Sequence, residues 1–256
     1  MSKSLRILTA SLAAAALAAC GDGTGPGTAG TAPVSFSFLT GSGSASPAAS
    51  LFDVTVTDGQ GNELVISSVE MVLRDIEFQR LEAVVDCDQA DDACEEVNVG
   101  PDIAALPLDA TVPVVEFEAA VPVGSFRRVD FEIHKLDDQD PEDQPLVTQR
   151  PEFDEISILV HGTWMPAGGG SVEFTFSSDL NERQRILFAT PLVLVEGEAA
   201  NVTFVVDLDS WFRDGSGNLI DPASANKGGA NENLVKDNIR SSIEGFQDDD
   251  RDGIAD

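Results

Sequence analysis

Strict alternation of apolar and polar residues is the feature that most limits how this chain can fold. Six segments carry the alternation: VSFSFL (34–39), FDVTVTD (52–58), VDFEIHK (129–135), EISILVHGTW (155–164), VEFTFSS (172–178) and NVTFVVDLDSWF (201–212). Successive side chains of a β-strand point to opposite faces, so the pattern is typical of antiparallel sheets with one buried face. Turn sequences separate the segments: DGQGN (58–62), PVG (122–124) and PAGGG (166–170).

Many short strands separated by such turns favour a sandwich over a barrel. The predicted fold is therefore mostly β, an antiparallel β-sandwich, immunoglobulin-like or related, with one C-terminal α-helix. The segment LVISSVEMVLRDIEFQRL (64–81) is compatible with a long helix. Its β-branched residues and the preceding DGQGN turn favour two strands or one long bent strand instead.

The helix is predicted over NENLVKDNIRSSIEGF (231–246). Four apolar residues fall on one helical face: Val235, Ile239, Ile243 and Phe246. Asn231 is a suitable N-cap, and Glu232 suits the positive end of the helix dipole in the first turn. We expect the apolar face of this helix to pack against the sandwich.

The N-terminus reads as a targeting segment. MSKSLRILTASLAAAALAA (1–19) has two basic residues, Lys3 and Arg6, followed by an apolar run that is too short to span a bilayer. Leu17-Ala18-Ala19-Cys20 resembles the bacterial lipobox. The resemblance implies that the chain is cut before Cys20, that Cys20 is acylated, and that the acyl chains anchor the protein in a membrane. The alternative is an ordinary secretory signal with a chance cysteine at the cleavage site.

The predicted organisation follows from these features. It comprises a signal peptide (1–19), a lipid-anchored flexible tether (20–32), a β-sandwich (33–222), a helix packing on it (223–247) and an acidic tail (248–256). The lipobox implies a bacterial cell envelope protein facing the periplasm or the exterior. Gly21, rather than the Asp that marks inner-membrane retention in some bacteria, follows the cysteine, which favours the outer membrane.

The other two cysteines are Cys87 and Cys94, in VDCDQADDACEE. A disulfide between them outside the cytoplasm would close a small loop and stabilise the fold by about 2.5 kcal/mol. The alternative is a pair of metal-binding thiolates. Two cysteines without further Cys or His nearby make a poor zinc site, so the disulfide is favoured.

The net charge is −30, from 15 basic and 45 acidic residues. Such a chain repels nucleic acid, which excludes nucleic-acid binding, and it attracts divalent cations. Solubility at the cell surface and adaptation to a salty habitat are alternative explanations for the bulk charge.

The acidic C-terminus, DDDRDGIAD, has a more specific pattern. Asp248, Asp250, Asp252 and Asp256 alternate as oxygen ligands would around a hard cation, and Gly253 permits a sharp turn. This spacing resembles the calcium loops of thrombospondin type 3 repeats, dockerins and EF-hands, although the twelfth-position Glu of the EF-hand is missing. The resemblance implies Ca²⁺ binding by these four residues; the alternative is a solvated acidic tail.

Two other acidic clusters lack such regularity. DDQDPED (137–143) and DCDQADDACEE (86–96) are interpreted as solvated loops. The motif D-G-x-G-N occurs twice, at 58–62 and 214–218, and both copies are interpreted as turns rather than calcium loops.

The sequence offers little for catalysis. It lacks the G-x-S-x-G, H-E-x-x-H and Gly-rich phosphate-loop motifs, and its two histidines, His134 and His161, are interpreted as structural. Trp164 and Trp211 fit a carbohydrate site and a core or rim position equally well.

The chain as a whole is similar to uncharacterised bacterial lipoproteins that place a β-sandwich domain of unknown function behind a lipobox. NELVISSVEMVLRDIEFQRL, PVGSFRRVDFEIHK and VTFVVDLDSWF carry the resemblance, which implies location and fold but no activity. We expect a lipid-anchored, non-enzymatic envelope module with a binding or structural role and an unidentified envelope or extracellular partner. A calcium-dependent adhesion or carbohydrate-binding module is the alternative, followed by a polysaccharide-active hydrolase.

Overall fold

The computed structural model describes residues 30–41, 53–82, 94–97, 100–108 and 111–256. The predicted signal peptide, Cys20, Cys87 and most of the predicted tether lie outside these residues. Cys94 begins a strand, but its side chain is not described, so the disulfide stays a prediction.

Twelve strands and two α-helices form within the described residues. The strands are β1 (Thr31–Gly41), β2 (Val54–Thr57), β3 (Glu63–Arg80), β4 (Cys94–Val97), β5 (Asp102–Ala105), β6 (Val114–Pro122), β7 (Gly124–Ile133), β8 (Ile158–Met165), β9 (Val172–Ser178), β10 (Glu182–Leu194), β11 (Ala200–Asp207) and β12 (Ile243–Gln247). The helices are α1 (Gln144–Gln149) and α2 (Glu232–Ser241). None of the described helices is long and apolar enough to cross a membrane.

The first sheet, sheet A, has the strand order β12-β11-β1-β6. Its inner strand β1 pairs antiparallel with β6, from Thr31 opposite Pro122 onwards. On its other side β1 pairs parallel with β11, from Val34 opposite Ala200 to Gly41 opposite Asp207. Sheet A therefore joins a strand from the first fifth of the chain to strands from its last quarter.

The second sheet, sheet B, has the order β10-β7-β3-β8-β9, and β2, β4 and β5 pair with further stretches of β3. The 18-residue strand β3 pairs with β8 over its first half and with β7 over its second. Its register shifts near Ser67 and near Asp75, where Asp75 has a φ of 54°. The prediction of strand rather than helix over 64–81 is confirmed; of the two forms expected, two strands or one long bent strand, the structure has the single strand, which such bulges bend.

The main core lies between the two sheets. Phenylalanine rings from both sheets meet there: the centroids of Phe36 and Phe78 lie 5.9 Å apart, and those of Phe131 and Phe204 lie 4.9 Å apart. All four side chains are almost completely buried. Two sheets that bury one face each against the other form a sandwich, so the predicted mostly β sandwich class is confirmed. The parallel pair β1–β11 is an exception to the antiparallel pattern.

The predicted C-terminal helix is shorter than expected. Helix α2 ends at Ser241, and Ile243 to Gln247 form β12, which pairs antiparallel with β11. Val235 and Ile239 of the predicted stripe are buried on the helix, whereas Ile243 and Phe246 belong to the strand. A β-branched residue and Gly245 are poor helix formers, and pairing with β11 satisfies their backbone groups. Asn231 makes no side-chain cap.

The boundaries of the predicted units move accordingly. Strand β1 begins at Thr31, two residues inside the predicted tether, and β12 extends the sandwich to Gln247. A second α-helix, α1, was not predicted. It lies in the β7–β8 connection, residues 134–157, together with a 3-10 turn at Pro151–Phe153.

This connection covers the face of sheet B that points away from the main core. Val72 and Leu159 alternate with core residues along β3 and β8 and so lie on that opposite face. They pack with Leu136 and Phe153 of the connection into a second, smaller apolar core.

Candidate functional site

The C-terminal Asp-rich segment is folded back onto the edge of sheet A. The backbone N–H of Asp248 donates to the carbonyl of Asn201 in β11, and that of Asp256 donates to the carbonyl of Gln247. Between these two hydrogen bonds the chain turns at Arg251 and Gly253, which lie in the left-handed region with φ of 58° and 82°. We refer to residues 248–256 as the Asp loop.

Asp248 organises the Asp loop from inside the protein. Its side chain is completely buried and accepts hydrogen bonds from Thr203 Oγ1 at 2.8 Å, Asp252 N at 3.0 Å and Gly253 N at 3.2 Å. Its carbonyl accepts from Asn201 Nδ2 at 2.9 Å. The first residue of the loop is therefore held rigidly by β11 and by the turn that follows it.

Three of the four predicted ligands converge. Asp248, Asp250 and Asp252 each offer one carboxylate oxygen, and these oxygens all lie within 4.8 Å of one another. Asp250 and Asp252 are exposed, so the group opens to solvent. Carboxylates without nitrogen or sulfur donors suit hard cations such as Ca²⁺ and Mg²⁺. Backbone carbonyls and water would have to complete the six to eight oxygen ligands that calcium takes.

The fourth predicted ligand, Asp256, lies outside this group. Its carboxylate accepts from the backbone N–H of Asp249 at 2.6 Å and so closes the loop. Asp249 itself, which was not among the candidates, fastens the loop to the sheet because its carboxylate accepts from Asn201 N at 2.9 Å. No spacing rule singles out Asp249, since its role depends on where β11 lies.

The two D-G-x-G-N segments are matching turns. In each, one oxygen of the Asp accepts from the N–H groups two and four residues later, and the other accepts from the Asn side chain. Desolvation raises the pKa of Asp58, but the Asn62 side chain and three backbone N–H groups lower it to about 2. Among the described residues, neither segment contributes to a group of three converging carboxylates, which supports the interpretation of the two segments as turns.

His134 is buried, although the sequence put it on the polar face of its strand. Its Nε2 lies 2.8 Å from Oδ2 of Asp143, which is completely buried. The segment 137–143 is therefore not simply a solvated loop: its last residue reaches into the protein. Arg74 and Glu132 lie beside the ring, at 3.2 Å from Nε2 and 3.9 Å from Nδ1 respectively.

His161 lies elsewhere, on the exposed face of β8, and its Nδ1 is 3.0 Å from Thr175 Oγ1. It lines an open cavity of about 410 Å³ together with Ser67, Thr163 and Glu173. Glu173 is the single carboxylate of this cavity. The paired carboxylates that a glycoside hydrolase uses are absent from its lining.

Neither tryptophan forms an exposed platform. Trp211 is fully buried and donates from Nε1 to Ser242 Oγ at 2.7 Å. Trp164 is partly buried and packs against the main core. Their positions favour the core or rim interpretation of both residues.

No protein-family model matches the chain, and no curated protein matches its sequence. Among solved structures, the chain is similar to MbnP from Methylosinus trichosporium, with 10% sequence identity and a TM-score of 0.40. The match covers 72% of this chain and 79% of that one. A likeness this distant carries no argument about function.

Proposed function

We propose that this chain is a lipid-anchored, non-enzymatic module of the bacterial cell envelope with a binding or structural role, and that its Asp loop binds calcium. The lipobox ending at Cys20 supports the anchor and the location, with the outer membrane favoured. The convergence of Asp248, Asp250 and Asp252 is the observation that carries the calcium site.

Calcium fits these residues for two physical reasons. Three carboxylates within a few ångströms repel one another, and a cation among them relieves the repulsion. Asp248 is already fixed by Thr203 and by two backbone N–H groups, so part of the ordering cost of the loop is met before the ion binds. Asp250 and Asp252 stay at the surface, where the ion enters.

Calcium is therefore expected to raise the melting temperature of the mature protein. We expect a dissociation constant of about 0.1 to 1 mM, the range of extracellular modules. At ten times that constant, calcium stabilises the folded form by about 1.4 kcal/mol, which shifts the melting temperature by about 3 to 5 °C. Differential scanning calorimetry with and without calcium measures the shift.

The matched control is the double variant Asp250→Ala with Asp252→Ala, which removes two exposed carboxylates and leaves the buried Asp248 in place. The calcium shift should vanish in this variant. An equal shift in the variant and the wild type would mean that bulk acidity, rather than the Asp loop, responds to the ion.

A second candidate is a calcium-dependent adhesion or carbohydrate-binding module. The exposure of Asp250 and Asp252 favours it, because an ion held there keeps coordination positions open to a ligand from outside. Calcium-dependent retention on an immobilised acidic polysaccharide, lost in the double variant, tests it. The polysaccharide hydrolase gains no support from the buried Trp211 or from a cavity with Glu173 as its single carboxylate.

A further inference from the structure

We propose that His134 and Asp143 form a pH-sensitive latch that holds the β7–β8 connection closed over sheet B while the imidazole is protonated. The two residues belong to different parts of the connection. His134 directly follows β7, and Asp143 directly precedes α1. Their contact therefore closes a loop of the chain onto the sheet.

The geometry assigns the donor. Nε2 of His134 lies 2.8 Å from Oδ2 of Asp143, and the same Oδ2 accepts from the backbone N–H of Asp137 at 2.9 Å. A carboxylate only accepts hydrogen bonds, so the ring must donate through Nε2. Arg74 Nη1 lies 3.2 Å from the same nitrogen, but a protonated Nε2 has no lone pair to accept its hydrogen bond. Arg74 instead contacts the carboxylates of Asp75 and Glu132.

Charged groups from four elements surround the ring. From β3, Arg74 contacts Asp75 at 2.9 Å and Glu132 at 3.6 Å. From β7, Glu132 lies 3.9 Å from Nδ1, and from the connection Asp143 contacts Nε2. From β10, Arg183 acts on Glu132 over a longer distance.

Burial and the neighbouring Arg74 lower the pKa of His134, but the carboxylates around the ring raise it by more. Desolvation of the ring lowers its pKa, and so does Arg74, but Glu132 and Asp143 raise it further, so the net shift is upward from the ordinary value. A raised pKa in the folded state means that the protonated ring stabilises the closed connection below the ordinary histidine pKa. That stabilisation is lost as the pH rises through the raised pKa.

Deprotonation of His134 weakens the attachment of the β7–β8 connection to sheet B, while other contacts still hold the connection in place. Arg150 still binds both carboxylate oxygens of Glu70 at 2.9 Å, and Phe153 stays in the second core with Val72 and Leu136. Above the transition, the completely buried Asp143 carboxylate keeps the Nε2–H of the neutral ring and the N–H of Asp137 as donors but has lost the positive charge of the imidazolium, which weakens the closed state. Above the raised pKa, the loosened connection therefore uncovers the second core more often, although the core itself stays assembled.

Hydrogen exchange of the full-length mature protein tests the latch. Protection of peptides covering 136–156, corrected for the intrinsic effect of pH, should fall about tenfold between pH 5.5 and pH 8.5, as expected when a charged hydrogen bond becomes a neutral one. Peptides covering β11 should show no such fall. Equal protection of 136–156 at both pH values would overturn the proposal.

Three variants separate the latch from general stability. His134→Gln keeps a neutral polar side chain and should abolish the pH dependence. Arg150→Gln removes another clamp of the same connection, so protection should drop at both pH values while their ratio is kept. His161→Gln, at an exposed histidine, should behave as the wild type does. A pH response in His134→Gln equal to that of the wild type would contradict the proposal.

Nitrogen-15 NMR of the wild-type histidines gives an answer even if His134→Gln fails to fold. A proton on Nε2 of His134 throughout the titration, with Nδ1 losing its proton above the ordinary histidine pKa, is the expected result. A proton on Nδ1 alone near neutral pH, with Nε2 accepting from Arg74, would rule the latch out.

Discussion

The variant Cys20→Ser is expected to leave the membrane and appear in the soluble fraction, and to take up no labelled fatty acid. A serine has no thiol for the diacylglyceryl group that the lipobox resemblance implies. Each buried methylene contributes about 0.8 kcal/mol to membrane binding, so two or three acyl chains hold a protein stably, whereas none leaves only the acidic surface. An acidic surface is repelled by anionic head groups, so no secondary attraction replaces the anchor.

Cys87→Ser is the matched control, because it removes a cysteine outside the lipobox. This variant should stay labelled and membrane-bound. Fractionation in detergent-free buffer and fatty-acid labelling measure both variants. Wild-type protein that is soluble without detergent would refute the anchor.

Phe204→Ala is expected to lower the free energy of unfolding by about 3 to 5 kcal/mol, the usual cost of truncating a buried phenylalanine. The ring is 1% exposed and lies between the sheets. Its centroid is 5.4 Å from that of Phe38 and 4.9 Å from that of Phe131. The cavity left behind borders other large rings, which cannot collapse into it without leaving their own rotamers.

Urea unfolding of the mature domain measures this loss. Leu187→Ala is the control, since Leu187 lies on β10 and is 70% exposed, and its removal should change stability by no more than about 0.5 kcal/mol. A loss below about 1 kcal/mol for Phe204→Ala would contradict the placement of this ring at the centre of the sandwich.

Much of the sandwich could be predicted because its strands alternate between one apolar and one polar face. Val172 shows where the pattern alone is insufficient: it continues the alternation of β9 but is 59% exposed. Ile243 fits a helical stripe and a strand equally well from its neighbours. Ile243 forms a strand because β11 has a free edge with which residues 243–247 can pair, and that edge is a tertiary feature.

The candidate site shows the same division. The alternation of Asp248, Asp250 and Asp252 is local, so the sequence predicts their convergence. The burial of Asp143 depends on His134 at the end of β7, nine residues earlier, and the role of Asp249 depends on Asn201 at the start of β11, 48 residues earlier. The number and spacing of acidic residues in the sequence suggest that all of them are solvated, because spacing does not show which of them contact a buried partner.

The parallel pairing of β1 with β11 dictates an order of events during synthesis of the chain. A chain that emerges N-terminus first presents Phe36 and Phe38 long before the strand containing Phe204 exists to cover them. Pairing between such distant segments is slow, and apolar strands that wait without partners are prone to aggregate. Residues 31–41 therefore wait longest for a partner, and a chain that ends before residue 200 keeps β6 beside β1 but lacks the strand on its other side.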